Sequence, residues 1–446
     1  MTFVHEGLGN ASYLLDLGDG EAALVDPDRS IERYLRAAAD RGLRVTAVLE
    51  THLHADFVTG GREAVARGAT VFAAEDAGLR WPHRPVRPGD RFDLGDVGVE
   101  VLETPGHTPE HVSFVVRAGE GPPLLFSGGA LIVGGAARTD LIDPSMTEEL
   151  TRALFRTLHA GLGELTDDTV VLPTHEKKSF CSTDTKSKRS STLGRERATN
   201  PVFAMEDEDE FVRWFPGTFP GVPAYFSRMR PLNRRGPRLS GEILPPPPLD
   251  PDGFEDAVAG GALAVDVRSA EAFAGGHVPG SVSNPFRAAF GVWLGWLVSP
   301  GTPLAFVTDG EAPDAAVEEA LLVGLEGFAG WLSGGIEAWT GAGKPVAELG
   351  FVDADAAGRL IAGGAAAVDV REPDEFARGH VEGAVHVPLG ELEARAGELP
   401  RGVPLVAYCG HGERASSAAS VLERLGFGPV YNLDGGFGAW REAALA

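Results

Sequence analysis

The chain has 446 residues, of which 43% are hydrophobic and 23% charged, and its formal net charge is -25. That length is enough for about three domains with separate cores. The acidic charge excludes general nucleic-acid binding, which needs a basic surface. We expect no membrane partner, because the sequence shows neither a long apolar run nor a signal-peptide pattern. Two cysteines, Cys181 and Cys409, exclude a disulfide framework and predict a cytoplasmic protein.

The first part of the chain alternates short apolar runs with helical spacing. Apolar runs at 22–25 and 45–49 predict strands, and the spacing over 31–41 predicts a helix with Ser30 as its N-cap. Further strands are predicted at 3–4, 13–15, 70–73, 97–102, 112–116 and 124–127. Many strands with interspersed helices favour a layered α/β domain.

Four consecutive prolines at 245–248 predict a stiff linker. Beyond it, Ala-Val-Asp-Val-Arg at 264–268 recurs at 367–371, and Gly-His-Val at 276–278 recurs at 379–381. The second half of the chain is therefore predicted to contain two copies of one α/β unit, and the period is too long for a solenoid. The predicted domains are 1–243, 250–345 and 350–446.

Two histidines and an acid crowd together just after the strand predicted at 45–49. His52, His54 and Asp56 lie within five positions. Imidazole and carboxylate groups gathered at the end of a strand favour a metal site.

Cys409 follows an apolar strand and precedes an amphipathic helix, and a glycine-containing turn joins the two. In such a turn a cysteine faces backbone N–H groups and the positive end of the helix, which favour a thiolate. Arg414 adds a fixed positive charge five residues after Cys409. We therefore interpret Cys409 as a nucleophile rather than as a buried free cysteine.

The spacing of this loop resembles that of the rhodaneses. A cysteine-dependent phosphatase loop has its arginine six positions after the cysteine, where this chain has Ala415. The resemblance implies that Cys409 accepts and donates sulfane sulfur as a persulfide. It also implies that Arg414 and the loop hold the anionic substrate, the loop residues being Gly410, His411, Gly412 and Glu413.

The first copy of the repeat has no cysteine at the matching position, where Thr308 stands before Asp309 and Gly310. It resembles a pseudo-rhodanese that packs or positions but does not carry sulfur. His277 and His380 belong to the repeated Gly-His-Val element, and we expect both to be structural.

Three segments near the start together resemble the metallo-β-lactamase superfamily, whose αββα sandwich holds metals at strand ends. They are Thr-His-Leu-His-Ala-Asp at 51–56, Thr-Pro-Gly-His-Thr at 104–108 and Pro-Thr-His at 173–175. Phe57 stands where hydrolases of this fold carry a histidine for a second metal. That departure resembles the persulfide dioxygenase branch, which uses one iron.

This resemblance implies His52 and His107 as metal ligands, with His54, Asp56 and His175 orienting the ligands or the substrate. Mononuclear non-haem iron (Fe²⁺) is the expected cofactor. A low-molecular-weight thiol persulfide and O₂ are the expected substrates, with sulfite or thiosulfate as further partners. Arg197 is a candidate contact for the carboxylate of the thiol.

Gly129 stands where the branch has the aspartate that binds iron. Either Asp56 or His54 replaces that carboxylate, or the domain has lost its iron. We expect weak iron binding and slow oxygen uptake for this reason. Zinc is the alternative cofactor.

The order of the three domains resembles fused persulfide dioxygenase–sulfurtransferases over nearly the full length. The predicted fold is α/β, an αββα sandwich followed by two rhodanese-like domains, and we expect a homo-oligomer. Two alternatives stay open: a zinc-dependent hydrolase of thioesters or lactones, and a sulfur-binding scaffold without catalysis. Cys181 is either a thiol that meets persulfide or a small loop residue.

Overall fold

In the computed structural model of the protein, the described residues are 1–176, 189–219 and 221–443. The chain divides into two compact units. The first comprises Met1–Ile243 with Leu321–Gly324, and the second comprises Leu244–Ala320 with Leu325–Ala446. Within the described ranges, every helix is too short or too polar to cross a bilayer.

The first unit contains two six-stranded sheets. The first sheet has the order β1-β2-β3-β4-β5-β6, and the second has the order β12-β11-β10-β9-β8-β7. The strands are β1 (Thr2–His5), β2 (Asn10–Gly18), β3 (Glu21–Val25), β4 (Arg44–Glu50), β5 (Thr70–Ala74), β6 (Arg84–Val86), β7 (Arg91–Leu94), β8 (Val97–Glu103), β9 (Val112–Ala118), β10 (Leu124–Gly128), β11 (Val170–Pro173) and β12 (Ser191–Thr192).

Helices cover the outer faces of these sheets. They are α1 (Ile31–Ala39), α2 (Gly61–Ala66), α3 (Thr147–Arg156), α4 (Leu193–Thr199), α5 (Pro201–Ala204), α6 (Glu208–Trp214) and α7 (Phe226–Arg235). Helix α1 buries Ile31, Tyr34 and Ala38. These residues have the helical spacing from which the helix was predicted. Ser30 occupies the N-cap position, but its side chain makes no capping hydrogen bond.

The core of this unit lies between its two sheets. Strand β8 buries Val97, Val99 and Val101 at a period of two, so one face of the strand enters the core. Tyr13 and Phe126, from opposite sheets, meet edge to face with ring centroids 5.2 Å apart. The predicted αββα layering is confirmed.

The second unit contains two five-stranded parallel sheets, ordered β13-β17-β16-β14-β15 and β18-β22-β21-β19-β20. The strands are β13 (Pro248–Leu249), β14 (Leu263–Asp266), β15 (Val282–Ser283), β16 (Leu304–Val307), β17 (Phe328–Leu332), β18 (Gly350–Val352), β19 (Ala366–Asp369), β20 (Val385–His386), β21 (Leu405–Tyr408) and β22 (Val430–Leu433). The identical strand order of the two sheets confirms the predicted internal repeat.

The helices of this unit also fall into two sets. The first repeat has α8 (Pro251–Ala259), α9 (Ala270–Gly275), α10 (Phe290–Leu297), α11 (Asp314–Leu322) and α12 (Gly335–Gly341). The second repeat has α13 (Ala354–Ala362), α14 (Pro373–Ala377), α15 (Leu392–Arg395), α16 (Glu413–Arg424) and α17 (Gly436–Ala443). The proline linker ends in β13 at a sheet edge, where proline's missing N–H is tolerated.

The repeated Asp-Val-Arg sequence forms a buried ion pair in each copy. Arg371 donates to Asp369 at 2.9 and 2.6 Å and to the Gly379 carbonyl at 2.8 Å. Arg268 makes the equivalent bonds to Asp266 and to the Gly276 carbonyl. The repeat therefore ties a strand end to the Gly-His-Val turn.

The histidine of each turn has a structural setting, as expected. His277 stacks on Phe273 with ring centroids 3.9 Å apart, and His380 stacks on Phe376 at 3.8 Å. In both, Nδ1 lies within hydrogen-bond distance of the carbonyl four residues earlier.

Replacing Asp369 with asparagine should lower the free energy of unfolding by about 3–5 kcal/mol, because it leaves the buried Arg371 charge without its counter-ion. The urea midpoint of the full chain measures this loss. Glu398→Gln is the control, since Glu398 pairs with Arg395 on the exposed surface and should leave the midpoint unchanged. An unchanged midpoint for Asp369→Asn would contradict the assigned role of the pair.

Candidate functional sites

The histidine-rich loop begins where β4 ends, and Asp26 holds it in place. The Asp26 carboxylate accepts hydrogen bonds from the Thr51 N–H and hydroxyl, both at 2.7 Å, and from the Thr174 hydroxyl. Asp26 follows β3, Thr51 follows β4 and Thr174 follows β11. One buried carboxylate therefore joins the ends of strands from both sheets.

Helix α7 supports the same loop from its other side. Asn233 donates to the carbonyls of His54 and Phe57, both at 2.9 Å. Arg230 donates to the Leu53 carbonyl at 3.1 Å. These bonds fix the backbone of the loop, so its side chains project in defined directions.

Three imidazoles converge above the loop: His52, His107 and His175. The centroid of the His52 ring lies 4.8 Å from that of His107 and 5.2 Å from that of His175, and the last two are 5.2 Å apart. His52 and His107 are buried and His175 is largely buried. Sequence motifs separated by more than 120 positions thus form one cluster.

Hydrogen bonds determine which nitrogen of His52 carries the proton. Its Nδ1 lies 2.9 Å from the Thr51 hydroxyl. That hydroxyl gives its own hydrogen to Asp26, so Nδ1–H of His52 must donate. Nε2 of His52 is left with its lone pair.

The other two rings are fixed in the same way. His107 Nδ1 lies 2.7 Å from the Arg138 carbonyl, which can only accept. His175 Nδ1 lies 3.1 Å from Oδ1 of Asn10, whose amide nitrogen donates to Asp56. Each ring therefore uses Nδ1–H as a donor and keeps Nε2 as the acceptor.

The donor set fits a bound cation. Nε2 of His52 and Nε2 of His175 are 3.2 Å apart, so two lone pairs face each other. Two ligands at roughly 2.1 Å from one ion are separated by about this distance. Burial keeps the pKa of His52 well below its usual range and lowers that of His107 to about 3, so both rings are neutral, as ligands must be.

The ligand atoms of His52, His54 and His175 all lie within 4.8 Å of one another. His54 also has its ring centroid only 4.2 Å from that of His52. Its Nε2 lies 3.4 Å from Asp26 and 3.5 Å from Glu50. Burial alone would lower the pKa of His54, but these two carboxylates raise it to about 10. Phe57 stacks on the ring with centroids 4.2 Å apart. The two carboxylates thus favour the charged form of His54, and Glu50 is a partner that was not predicted from the sequence.

His111 also lies beside the cluster, and the sequence analysis overlooked it. Its Nε2 accepts a hydrogen bond from the Gly129 N–H at 3.0 Å, and its Nδ1 lies 2.8 Å from the Thr104 hydroxyl. Both nitrogens are therefore occupied. The available signal was its position four residues after His107 in a recognised motif.

Replacing His175 with alanine should lower the affinity for a divalent cation by more than about 100-fold, because it removes one of three converging donors. Metal content per chain, measured by mass spectrometry after equilibration with zinc or with iron(II), tests this. His83→Ala is the matched control, since it removes an imidazole that bonds the Trp81 carbonyl elsewhere. Undiminished metal in the His175 variant would exclude His175 as a ligand.

Cys409 lies at the bottom of the turn between β21 and α16. Its side chain is buried, and its Sγ accepts a hydrogen bond from the Gly412 N–H at 3.1 Å. Gly412 has φ 114°, a conformation that favours glycine. The turn thus aims the Gly412 amide at the sulfur.

The predicted substrate-binding residues follow Cys409 in the turn and at the start of α16. Gly410 and Gly412 supply backbone, the side chain of His411 is exposed and Glu413 begins α16. Arg414 is buried, and its guanidinium forms two hydrogen bonds with Glu375 at 2.7 and 2.8 Å. Arg414 therefore lies beside the Cys409 loop and forms an ion pair with Glu375.

Arg197 and Cys181 are the remaining residues of interest. Arg197 pairs with Asp167 at 2.5 Å and donates to the Leu162 and Leu165 carbonyls at 2.9 and 3.1 Å. Arg197 therefore holds the chain around Leu162 and Leu165 in place. Contact of Arg197 with the substrate stays a prediction. Cys181 lies outside the described residues.

Family models match both parts of the chain that contain these candidate sites. The metallo-beta-lactamase superfamily model matches residues 5–175, and the rhodanese-like domain model matches 250–342 and again 353–443. A hydroxyacylglutathione hydrolase of Polaromonas sp. is 33% identical over 48% of this chain and 84% of that protein. The chain belongs to the metallo-β-lactamase superfamily and carries two rhodanese-like domains.

Other relatives match one part of the chain each. The persulfide dioxygenase ETHE1 of Homo sapiens is 29% identical over 45% of this chain and 74% of that protein. The thiosulfate sulfurtransferase GlpE of Ectopseudomonas mendocina is 38% identical over 22% of this chain and 88% of that protein. A second hydroxyacylglutathione hydrolase, from Hahella chejuensis, is 33% identical, and the chain spans 62% of its length.

One solved structure matches most of the architecture. A metallo-beta-lactamase from Staphylococcus aureus is 28% identical, with a TM-score of 0.65, and the match covers 75% of this chain and 98% of that one. The likeness therefore extends beyond the metallo-β-lactamase domain alone.

In the first rhodanese-like domain, the loop that corresponds to the Cys409 loop is closed by hydrogen bonds of Thr308. The Thr308 hydroxyl accepts from the Gly310 N–H at 3.2 Å and donates to the Glu311 carbonyl at 2.6 Å. A hydroxyl bonded in this way replaces the sulfur, which agrees with a rhodanese-like domain that does not carry sulfur.

Proposed function

We propose that this protein is an enzyme of sulfur metabolism in which Cys409 accepts sulfane sulfur from a low-molecular-weight persulfide and passes it to an acceptor. The Gly412 N–H that points at the buried Cys409 sulfur is the observation that carries the proposal. The rhodanese-like match over 353–443 and the sulfurtransferase relative support it.

The test is mass spectrometry of the intact protein after brief exposure to a persulfide. The proposal expects a gain of one sulfur atom, located on the peptide that contains Cys409, and loss of that atom when a thiol acceptor is added. A protein that gains no sulfur, or gains it elsewhere, would overturn the proposal.

For the metallo-β-lactamase domain we infer a divalent cation held by His52, His107 and His175. The persulfide dioxygenase relative supports a persulfide as its substrate. Iron sites that use O₂ typically combine two histidines with a carboxylate, whereas Gly129 offers no side chain. We therefore propose that oxidation of persulfide by this domain is slow.

Hydrolysis of a thioester is the second candidate for this domain. Three imidazoles form a ligand set typical of catalytic zinc, and hydroxyacylglutathione hydrolases are among the relatives. A divalent cation bound there would supply Lewis-acid chemistry. Metal analysis after expression with mixed metals, with oxygen uptake on persulfide and hydrolysis of a thioester measured on the same preparation, separates the two candidates.

A further inference from the structure

The positive charge beside Cys409 is already neutralised. Arg414 and Glu375 meet through two hydrogen bonds of 2.7 and 2.8 Å. The side chains of Arg414 and Glu375 are 7% and 21% exposed, so the pair is only weakly screened by water. Although burial raises the pKa of Glu375, its bonds to Arg414 hold that pKa below its ordinary value, so the carboxylate is ionised.

This ion pair lies directly against the loop. A Cβ built on Gly410 would lie 3.5 Å from Nη2 of Arg414 and 3.9 Å from Oε1 of Glu375. A substrate that enters over Gly410 therefore meets both charges together.

Neighbouring charges do not restore a positive field. Arg371, which lies two residues before α14, is committed to Asp369. Glu372 is buried beside Glu375, and burial raises its pKa to about 7. Glu413 adds a carboxylate at the start of α16.

The backbone of the loop contributes dipoles only. The carbonyls of Cys409 and Gly410 accept hydrogen bonds from Phe437 and Gly438, at 2.7 and 3.3 Å. These hydrogen bonds point the two carbonyls away from the Cys409 sulfur, and the Gly412 amide lies near it. Amide dipoles stabilise a thiolate or persulfide, and the Glu375 carboxylate repels a dianion more strongly than it repels a monoanion or a neutral donor.

We propose that Glu375 determines the donor specificity of Cys409, excluding dianionic donors such as thiosulfate and selecting a persulfide whose leaving group is a thiol. This inference rests on the proposed sulfur transfer. By the same charge argument, a thiol fits the loop as sulfur acceptor better than sulfite does. Transfer of sulfur to sulfite forms thiosulfate, so it is the reverse of donation from thiosulfate.

The step balances without an oxidant. The Cys409 thiolate attacks the outer sulfur of R–S–SH, a new S–S bond forms to Cys409, and the bond between the two donor sulfurs breaks. The electron pair of that bond leaves with R–S⁻, which takes a proton from water. Cys409 then holds the persulfide.

The test compares the rates at which the full-length protein is loaded by thiosulfate and by the persulfide of 2-mercaptoethanol, followed by intact mass. The wild type should be loaded by the persulfide and poorly by thiosulfate. Glu375→Gln should raise the loading rate from thiosulfate by at least about tenfold through tighter binding, because it removes the like charge. Loading from the persulfide should change less than loading from thiosulfate does, so the ratio of the thiosulfate rate to the persulfide rate should rise.

Two further variants separate charge from structure. Glu375→Asp keeps the charge and should keep the preference for persulfide. Glu398→Gln removes one exposed charge at a distance from the loop and should change neither rate.

Equal loading of the wild type by both donors would overturn the inference while leaving sulfur transfer through Cys409 intact. Equal slowing of both donors in Glu375→Gln would also overturn it and assign Glu375 to structure alone. Loading of the wild type by neither donor would instead overturn the proposed function.

Discussion

Replacing Cys409 with serine should abolish sulfur loading and lower the rate of sulfur transfer by at least about 10³-fold. A serine hydroxyl in the same place still accepts a hydrogen bond from the Gly412 N–H, so the conformation of the loop is retained. It forms no persulfide, so the sulfur carrier is lost. Intact mass after exposure to persulfide, together with the rate of transfer to a thiol, measures both effects.

Cys181→Ser is the control, since it removes the other cysteine of the chain. It should be loaded as the wild type is. If the Cys409 variant still gained sulfur, the carrier would lie elsewhere and the rhodanese-like loop would have another role.

Replacing Gly129 with aspartate should weaken metal binding by at least about tenfold rather than restore an iron site. A Cβ at residue 129 would lie 2.5 Å from Cδ2 of His107 and 3.1 Å from the Cβ of Ala137. The ring of His107 is held by its bond to the Arg138 carbonyl, so an added side chain must displace a proposed ligand. Bound metal per chain measures the loss.

The double variant Gly129→Asp with Ala137→Gly should bind iron(II) more tightly than the single variant. Without the Ala137 methyl, the new side chain has room to shift away from His107 and add a carboxylate to the donor set. Ala137→Gly alone is the control and should bind metal as the wild type does. Stoichiometric iron in the single Gly129→Asp variant would show that His107 yields to the new side chain at no cost.

From the sequence alone, the missing carboxylate at 129 predicts that aspartate there would restore iron, and the packing around Gly129 argues against this. A sequence shows that a carboxylate is missing but does not show that the vacated space has been filled. Here the methyl group of Ala137 and the ring of His107 occupy the space beside Gly129. Because residues 107 and 137 are distant along the chain, the sequence does not show that they meet there.

Much of the fold was predictable because its signals are local. Alternation of buried and exposed residues in β8 and helical spacing in α1 follow from the periods of strand and helix. The internal repeat followed from matched segments, and its Asp-Val-Arg sequence proved to be a buried ion pair. Local patterns of this kind need no knowledge of distant neighbours.

The candidate sites were predictable only in part. Cys409 and its glycine turn lie in one continuous segment, so the chemistry of that loop could be inferred from spacing. Glu375, which pairs with Arg414, lies in a different helix, and no local signal marks it as a partner. Similarly, the charge of His54 depends on Asp26, which follows the neighbouring strand β3, as well as on Glu50 four residues earlier.

The sequence by itself determined the domain order, the strand-end position of the histidines and the choice of Cys409 as the proposed sulfur carrier. Only the tertiary structure decided which imidazoles present Nε2 to one another, that His54 is paired with carboxylates and that the charge of Arg414 is already neutralised. The reason is physical. Ligation and charge depend on hydrogen bonds and ion pairs between residues far apart in the chain, and folding alone brings these residues within a few ångströms.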